Sequence, residues 1–412
     1  MTSQTLAAAV DVDTLKKAVS GTIDSWEDRL RQVSRIIHDN PELAFEERLA
    51  AETLASIAEE AGFAVERSAY GMETCFEAVR GSGDFTVVIC AEYDALPEIG
   101  HACGHNIIAT AALGTGLALG EVADELGLRV VLLGTPAEEH GGGKALLLEA
   151  GAWEQATVSM MVHGAAGNED FSCAITHSQA VDRFAVTFNG RAAHAAAAPH
   201  KAINAGDAAT ISQIAIGLLR QQLPDGVRLN AFVEHGGDVT NVIPARTVVS
   251  AEVRAHDLET LEDIKERMLN CFAGGALASG CTWEVAPTEP RYENLVQNTL
   301  LAEAWDRNLK ALGRTIVEVS GLGGGSTDMG NVSHAVPSIH PMISVLGASG
   351  VPHTIEFATD AGSPAGEQAA LDGALGMAWT TIDMVTNPET REALLALQAA
   401  RRPGATRSPA LG

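Results

Sequence analysis

The order of elements between residues 181 and 290 constrains the fold more than any other feature of the chain. Phe184, Val186 and Phe188 alternate as a strand does, and a Gly190-Arg191 turn follows. Over Ala202–Leu219, the residues Ile211, Ile214, Ala215 and Leu218 recur at the spacing of one helix face. Two strands come next, Arg228–His235 and Thr247–Arg254. They are followed by a helix from Leu258 carrying Leu261, Ile264 and Met268, and by a strand around Trp283 and Val285. The order β-α-β-β-α-β is that of a ferredoxin-like unit, which closes on itself and can be inserted into another domain.

The flanking residues alternate helix and strand. Buried-strand runs stand at Thr86–Cys90, Arg129–Leu133 and Val158–Val162, with a further strand at Ser338–Leu346. Such near-continuous apolar runs belong to a mostly parallel sheet covered on both faces. The expected organisation is α/β: residues 1–180 and 291–395 form one domain, interrupted by a βαββαβ unit at 181–290. The Pro/Arg/Ala-rich stretch 400–412 is expected to be a disordered tail.

Composition narrows the function. The 53 acidic residues outnumber the 27 Lys and Arg, giving −26 at pH 7, and the basic residues never cluster beyond the Arg401-Arg402 pair. Such a surface repels phosphate backbones and anionic bilayers, so neither nucleic acid nor membrane is expected as a partner. The segment from Met1 to Asp11 lacks a basic start and an apolar centre, and no uncharged apolar run approaches the roughly 20 residues of a membrane span. The six cysteines are scattered without close pairing, as reduced thiols are. A cytoplasmic location is expected.

The chemistry collects at strand ends. His101-Ala102-Cys103-Gly104-His105 follows the first strand pair, Glu138-Glu139-His140 follows Arg129–Leu133, and His163 follows Val158–Val162. In open α/β sheets ligands bind where strands end at their carboxyl side, so these three segments converge on one cleft. Singly, each would read as a satisfied core histidine, an inert thiol or a solvated acidic pair. Together they mix thiolate, imidazole and carboxylate, which suits Zn²⁺, Mn²⁺, Co²⁺ or Ni²⁺ better than Ca²⁺ or Mg²⁺. Gly141-Gly142-Gly143 lets the backbone turn sharply after Glu138-Glu139, so that one carboxylate can face a metal and the other the water it activates.

Other chemistries are excluded. Gly321–Gly325 followed by Ser326-Thr327 lacks a P-loop lysine and suits an anion or oxyanion contact. The strand Thr86–Cys90 ends in Ala91-Glu92-Tyr93-Asp94 rather than in glycines, which argues against a dinucleotide site. Neither a Gly-x-Ser-x-Gly elbow nor the zinc-deaminase pattern occurs.

At this point the motifs become recognisable. Asp94-Ala95-Leu96-Pro97, Gly100–Asn106, Pro136-Ala137-Glu138-Glu139, Gly190-Arg191-Ala192-Ala193-His194, Asn241-Val242-Ile243-Pro244 and His353 together resemble the aminoacylase-like metallopeptidase family. The likeness runs from about residue 25 to 390. Ala91–Asp94, Gly100–Asn106 and Ser326–Ser333 look most like the branch holding aminobenzoyl-glutamate hydrolase and the Xaa-Arg or β-alanyl-lysine dipeptidases. The resemblance implies a metal-dependent amidohydrolase that cleaves N-acyl amino acids or dipeptides and carries two divalent transition metal ions. It places the ligands on Cys103, His105, Glu139, His163 and His353, with Glu138 as general acid and base. It makes 181–290 the lid of a homodimer, with His194 reaching the partner's site to stabilise an oxyanion. It gives Asn241 and Arg254 to the substrate carboxylate, with Ser326 and Thr327 as further substrate contacts. Glu92 departs from the pattern, standing where many members have a histidine ligand. The competing readings are hydrolytic deamination of an aromatic amine on the same metals, and a non-catalytic binding homologue. The full ligand set with Glu138 speaks against the latter.

Overall fold

The computed structural model describes residues 11–319, 325–401 and 404. The expected tail 400–412 lies outside these apart from Ala400, Arg401 and Gly404. Of the Gly321–Gly325 run only Gly325 is described.

One sheet has six strands in the order Ala64–Arg67, Phe76–Arg80, Leu128–Gly134, Phe85–Ala91, Val158–Met160 and Ser338–Ile339. The first two pair antiparallel, and the last four run parallel. All seven residues of Phe85–Ala91 are buried, the mark of a strand covered on both faces. Helix His105–Glu121 buries every residue except its last. A helix apolar all round must be enclosed. Helices Val12–Asp39 and Pro364–Thr386 complete that enclosure, with Leu30, Leu113 and Ala374 in one core.

The expected strand Ser338–Leu346 is interrupted. Ser338–Ile339 closes the six-stranded sheet, whereas Met342–Leu346 pairs in parallel with His163–Gly167 in a separate ribbon. Pro341 stands at the break, having no N–H to continue a ladder. The run Val158–Val162 breaks at the same level, where His163 N donates to Pro341 O at 2.9 Å. Both segments thus step between sheets together, placing His163 beside His340 with ring centroids 5.6 Å apart.

The inserted unit forms a four-stranded antiparallel sheet in the order Thr282–Pro287, Ala180–Asn189, Arg246–Ala255 and Arg228–His235. Helices Ala205–Leu219 and Leu258–Ser279 pack with it around Phe184, Phe188, Val249, Met268 and Phe272. The first of these helices differs from expectation. It buries Ala205, Ala208, Ala209, Ser212 and Ile216, and leaves Ile214 and Leu218 at 61% and 69% exposure. Close helix contact is the reason, since a Cβ on Gly275 would stand 2.5 Å from the Ala208 carbonyl oxygen. Small residues therefore turn inward, and the apolar stripe read from the sequence faces out.

All six cysteines are free, and among the described residues no helix is long and apolar enough to cross a membrane.

Candidate metal centre

The carboxyl ends of the parallel strands supply the centre. Phe85–Ala91 runs directly into Glu92, Tyr93 and Asp94, and His105 opens the buried helix after Gly104, whose φ of +77° only glycine adopts easily. Glu138 and Glu139 follow Leu128–Gly134 in a turn that begins at Ala137 with φ 62°. A side chain on Gly143 would collide with the carbonyl oxygen of Pro136, so this turn depends on glycine. His353 has φ 70°, held by its N–H donating to Ala102 O at 2.8 Å. A left-handed histidine at such a cleft is the strain expected of a functional position.

These segments meet. Cys103 Sγ lies 3.4 Å from Nε2 of both His163 and His353. His105 Nε2 is 3.6 Å from Glu92 Oε2, 3.8 Å from Glu139 Oε1 and 4.0 Å from Glu138 Oε2. His353 Nε2 lies 3.7 Å from the other oxygen of Glu139. Three overlapping groups of potential ligands result: Cys103, His105 and His163; Cys103, Glu139 and His353; Glu92, His105 and Glu138. The structure thus brings together every predicted ligand, with Glu92 and Glu138 beside them.

Hydrogen bonds orient the imidazoles. His105 Nδ1 donates to Asp94 Oδ1 at 3.0 Å, and Asp94 Oδ2 accepts from Glu139 N at 2.9 Å. His163 Nδ1 donates to Gly164 O at 2.7 Å. Each ring consequently turns an Nε2 lone pair toward the cluster, the arrangement of metal-binding histidines. Glu92 Oε2, His105 Nε2 and Glu139 Oε1 are buried without a hydrogen-bond partner. Burial, with Glu92 and then Glu139 as neighbours, pushes the Glu138 carboxyl well above the ordinary range. Burial likewise raises the Cys103 thiol, reinforced by Glu139.

The centre forms part of the wall of a cavity of about 520 Å³. Arg254, Ser326 and Thr327, which the family resemblance assigns to the substrate, line it, and Arg254 Nη1 reaches Ser326 Oγ at 3.3 Å. Arg183 and His340, which the sequence reading missed, line it too. Arg183 and Arg254 are held by opposite oxygens of Glu252, each at 2.7 Å. A charged residue between Val181 and Phe184 in an apolar strand was the available signal for Arg183. Tyr292, also missed, donates to the carbonyl of Glu138 at 2.7 Å and ties down its turn.

His194 and Asn241 lie elsewhere. Both are exposed on adjoining loops, linked by the bond from Ala195 N to Asn241 O at 2.9 Å, and neither lines the cavity. In the sheet register Arg246 pairs with Asn189 and Arg254 with Val181. Eight residues of strand, roughly 26 Å, therefore separate Arg254 from the sheet end that carries both loops. The expectation that Asn241 and Arg254 hold one carboxylate thus fails within a single chain.

A buried ionic triad was also unforeseen. Lys144 Nζ pairs with Glu92 Oε1 and, at 2.6 Å, with Asp328 Oδ1, and all three side chains are inaccessible to solvent. Asp328 Oδ2 accepts from the Lys144 backbone N–H at 2.8 Å.

Comparison with known proteins gives this geometry a family. Residues 177–277 match the family model described as a peptidase dimerisation domain. The Xaa-Arg dipeptidase of Mus musculus is 36% identical over 404 residues, covering 94% of this chain and 92% of that protein. A putative aminohydrolase from methicillin-resistant Staphylococcus aureus shares the fold with a TM-score of 0.76 at 20% identity, over 89% of this chain and 99% of that one. A Bacillus subtilis structure, described as a dinuclear metal binding peptidase from the M20 family, shares it with a TM-score of 0.63 at 21% identity, over 87% and 99%. The chain belongs to the aminoacylase-like (M20) metallopeptidase family, hydrolases of amide bonds.

Proposed function

We propose that the protein hydrolyses the amide bond of N-acyl amino acids or dipeptides with a free carboxylate, using two divalent transition metal ions drawn from Zn²⁺, Mn²⁺, Co²⁺ or Ni²⁺. The observation that carries this reading is the convergence of Cys103, His105, Glu139, His163 and His353 on one cavity wall, with Glu138 alongside and Arg254 lining the same cavity. The donor set fits such ions. Glu92, Asp94, Glu138, Glu139 and Asp328 are five carboxyl groups near the centre, of which Glu92 and Asp328 pair with the ammonium of Lys144. With the thiol of Cys103 and the imidazoles of His105, His163 and His353 they form a mixed donor set of the kind these ions prefer, and Glu92 Oε2, His105 Nε2 and Glu139 Oε1 are buried without a hydrogen-bond partner.

Cys103, His105, Glu139, His163 and His353 would hold the ions, which would supply polarisation of the scissile carbonyl and a water made nucleophilic near neutral pH. Glu138 takes the proton of the attacking water and returns it to the leaving nitrogen. The guanidinium of Arg254 accommodates a carboxylate through paired N–H donors, with Ser326 and Thr327 beside it, and so sets the amide over the centre.

Residues 1–180 and 291–395 serve as the catalytic unit and 181–290 as the lid of a homodimer. Three observations support the dimer: the match to a dimerisation domain, the outward apolar stripe of helix Ala205–Leu219, and the edge strand Arg228–His235 with Phe232 exposed. A two-fold axis brings the same edge and stripe of two chains together. His194 and Asn241, outside the cavity of their own chain, then serve the partner's site, His194 as oxyanion donor. The relative that cleaves Xaa-Arg dipeptides supports the dipeptide class, and the free thiols support a cytoplasmic location.

The test is a screen of N-acyl amino acids and dipeptides with each of the four metals. Metal-dependent release of a free amino acid is expected. Release of ammonia from aromatic amines in its place would overturn the reading in favour of a deaminase.

A further inference from the structure

We propose that Glu289 and Arg183 are positioning residues for the turn that presents Glu138, and that through them the inserted unit holds the general base in register with Arg254. This rests on the amidohydrolase reading and names the device that fixes its proton carrier.

The turn at 137–143 relies on anchors from outside. Ala137, Gly141 and Gly142 have φ of 62°, 103° and 62°, and Gly143 N donates to Ala137 O at 3.1 Å across the turn. Adjacent glycines leave such a backbone many alternatives. Three carboxylates from three other segments take its N–H groups at alternate residues: Ala137 N donates to Glu47 at 2.9 Å, Glu139 N to Asp94 at 2.9 Å, and Gly141 N to Glu289 Oε2 at 3.1 Å. Each is a charge-assisted bond, stronger than a neutral one. Glu47 and Asp94 belong to the catalytic unit. Glu289 does not, for it follows strand Thr282–Pro287 on the way back from the inserted unit.

Glu289 divides its carboxylate between the two units. While Oε2 holds Gly141, Oε1 pairs with Nη1 of Arg183 on strand Ala180–Asn189. Arg183 Nε donates to Glu252 Oε2, and the other oxygen of Glu252 holds Arg254 Nε. A chain of alternating charge thus runs Arg254, Glu252, Arg183, Glu289, and ends on the turn of the general base. The Arg183 guanidinium also lies 5.7 Å over the ring of Tyr292, which holds the Glu138 carbonyl. Beside this chain the two crossings between the units are pinned together, because Val181 and Tyr292 exchange backbone hydrogen bonds of 2.9 and 3.0 Å. Isolated exposed ion pairs fix little, whereas a partly buried network with each guanidinium held at two points fixes geometry. Geometry matters here, since a displacement of about 1 Å costs roughly a hundredfold in rate.

The experiment measures kcat and KM per folded, metal-loaded site for Glu289→Ala, Glu289→Gln, Arg183→Ala and the double Ala variant. The substrate is whichever N-acyl amino acid or dipeptide the unaltered protein cleaves fastest. Amide hydrogen exchange of segment 137–143 is read beside it by mass spectrometry. In Glu289→Ala, kcat should fall roughly tenfold to a hundredfold with KM within about threefold of the unaltered value, because this residue touches the turn and does not line the cavity. Exchange in 137–143 should quicken roughly tenfold. The double variant should lose no more kcat than the worse of its two single variants, as expected of residues acting through one another. Glu289→Gln keeps the volume and an oxygen for Gly141 but no charge for Arg183, so its loss should be smaller yet measurable. Unchanged kcat and exchange in Glu289→Ala, or losses that multiply in the double variant, would overturn the proposal. Should Glu289→Ala fail to fold, an unaltered kcat in Glu289→Gln would do the same. If the unaltered protein cleaves no such amide, the proposed function falls, and the exchange of 137–143 decides by itself whether Glu289 holds the turn.

Discussion

Asp94 accepts the Nδ1 proton of His105 at 3.0 Å, and that one hydrogen bond decides which nitrogen of the ring faces the carboxylates of the centre. Asp94→Asn keeps the shape but offers an amide whose NH₂ can donate, which no longer enforces the tautomer. Metal affinity should fall roughly 10–100-fold with the fold retained, as read by chelator competition beside circular dichroism. Undiminished affinity would mean that the ring is oriented by something other than Asp94.

Glu138→Gln preserves volume and leaves the other ligands in place, but cannot carry a proton. Metal content should persist while turnover falls roughly a hundredfold or more. A fully metallated variant with substantial turnover would assign the proton transfer to another group.

Glu47 supports the turn that presents Glu138, accepting from Ala137 N at 2.9 Å. Burial first, and then Asp94, raise its pKa from 4.5 to about 7. Below 4.5 both folded and unfolded chains keep the proton and the group costs nothing. Between 4.5 and 7 the unfolded chain releases it first, so stability declines as pH rises, and above 7 the loss is complete, at most about 3 kcal/mol. In the presence of chelator, Glu47→Gln should therefore raise the melting temperature at pH 8 and have little effect near pH 4.5. An equal effect at both values would show that Glu47 titrates normally.

Arg254 gives the cavity a guanidinium suited to a carboxylate. Substrates with a free carboxylate should be cleaved far faster than their esters or carboxamides. Arg254→Ala should cost roughly a hundredfold in kcat/KM on the free acids and little on the amides. Equal rates on both substrate types in the unaltered protein would remove the clamp.

His194 lies outside the cavity of its own chain, so Glu138→Gln and His194→Ala should complement one another. Mixing the two inactive proteins under conditions that exchange subunits should restore activity, because one site of each heterodimer then has both groups intact. About half the unaltered activity per heterodimer is expected. Absence of recovery after demonstrated exchange would show that His194 serves no partner.

The sequence by itself determined the βαββαβ unit, the fully buried parallel strands and the candidate ligands Cys103, His105, Glu139 and His163 gathered at their carboxyl ends, whereas His353 entered only through the family resemblance. These follow from signals local to each element: period-two and helical spacing, uninterrupted apolar runs, and ligand side chains immediately after them. The tertiary structure alone decided the rest. Helical spacing marked Ile211, Ile214 and Leu218 as one face but could not say which face is covered, and the closeness of Ala208 to Gly275 turned the small residues inward. Lys144 meets Glu92 across 52 positions and Asp328 across 184, separations at which neither spacing nor composition carries information. His340 came to His163 only because two strands change sheets at the same level. The opposite placement of Asn241 and Arg254 came from the antiparallel register of a strand whose two ends point to different sites. Local pattern specifies elements through the periodicity of their own backbone. Which buried charges find one another depends on how those elements pack, and that is settled by shape and by the need to satisfy every buried polar atom.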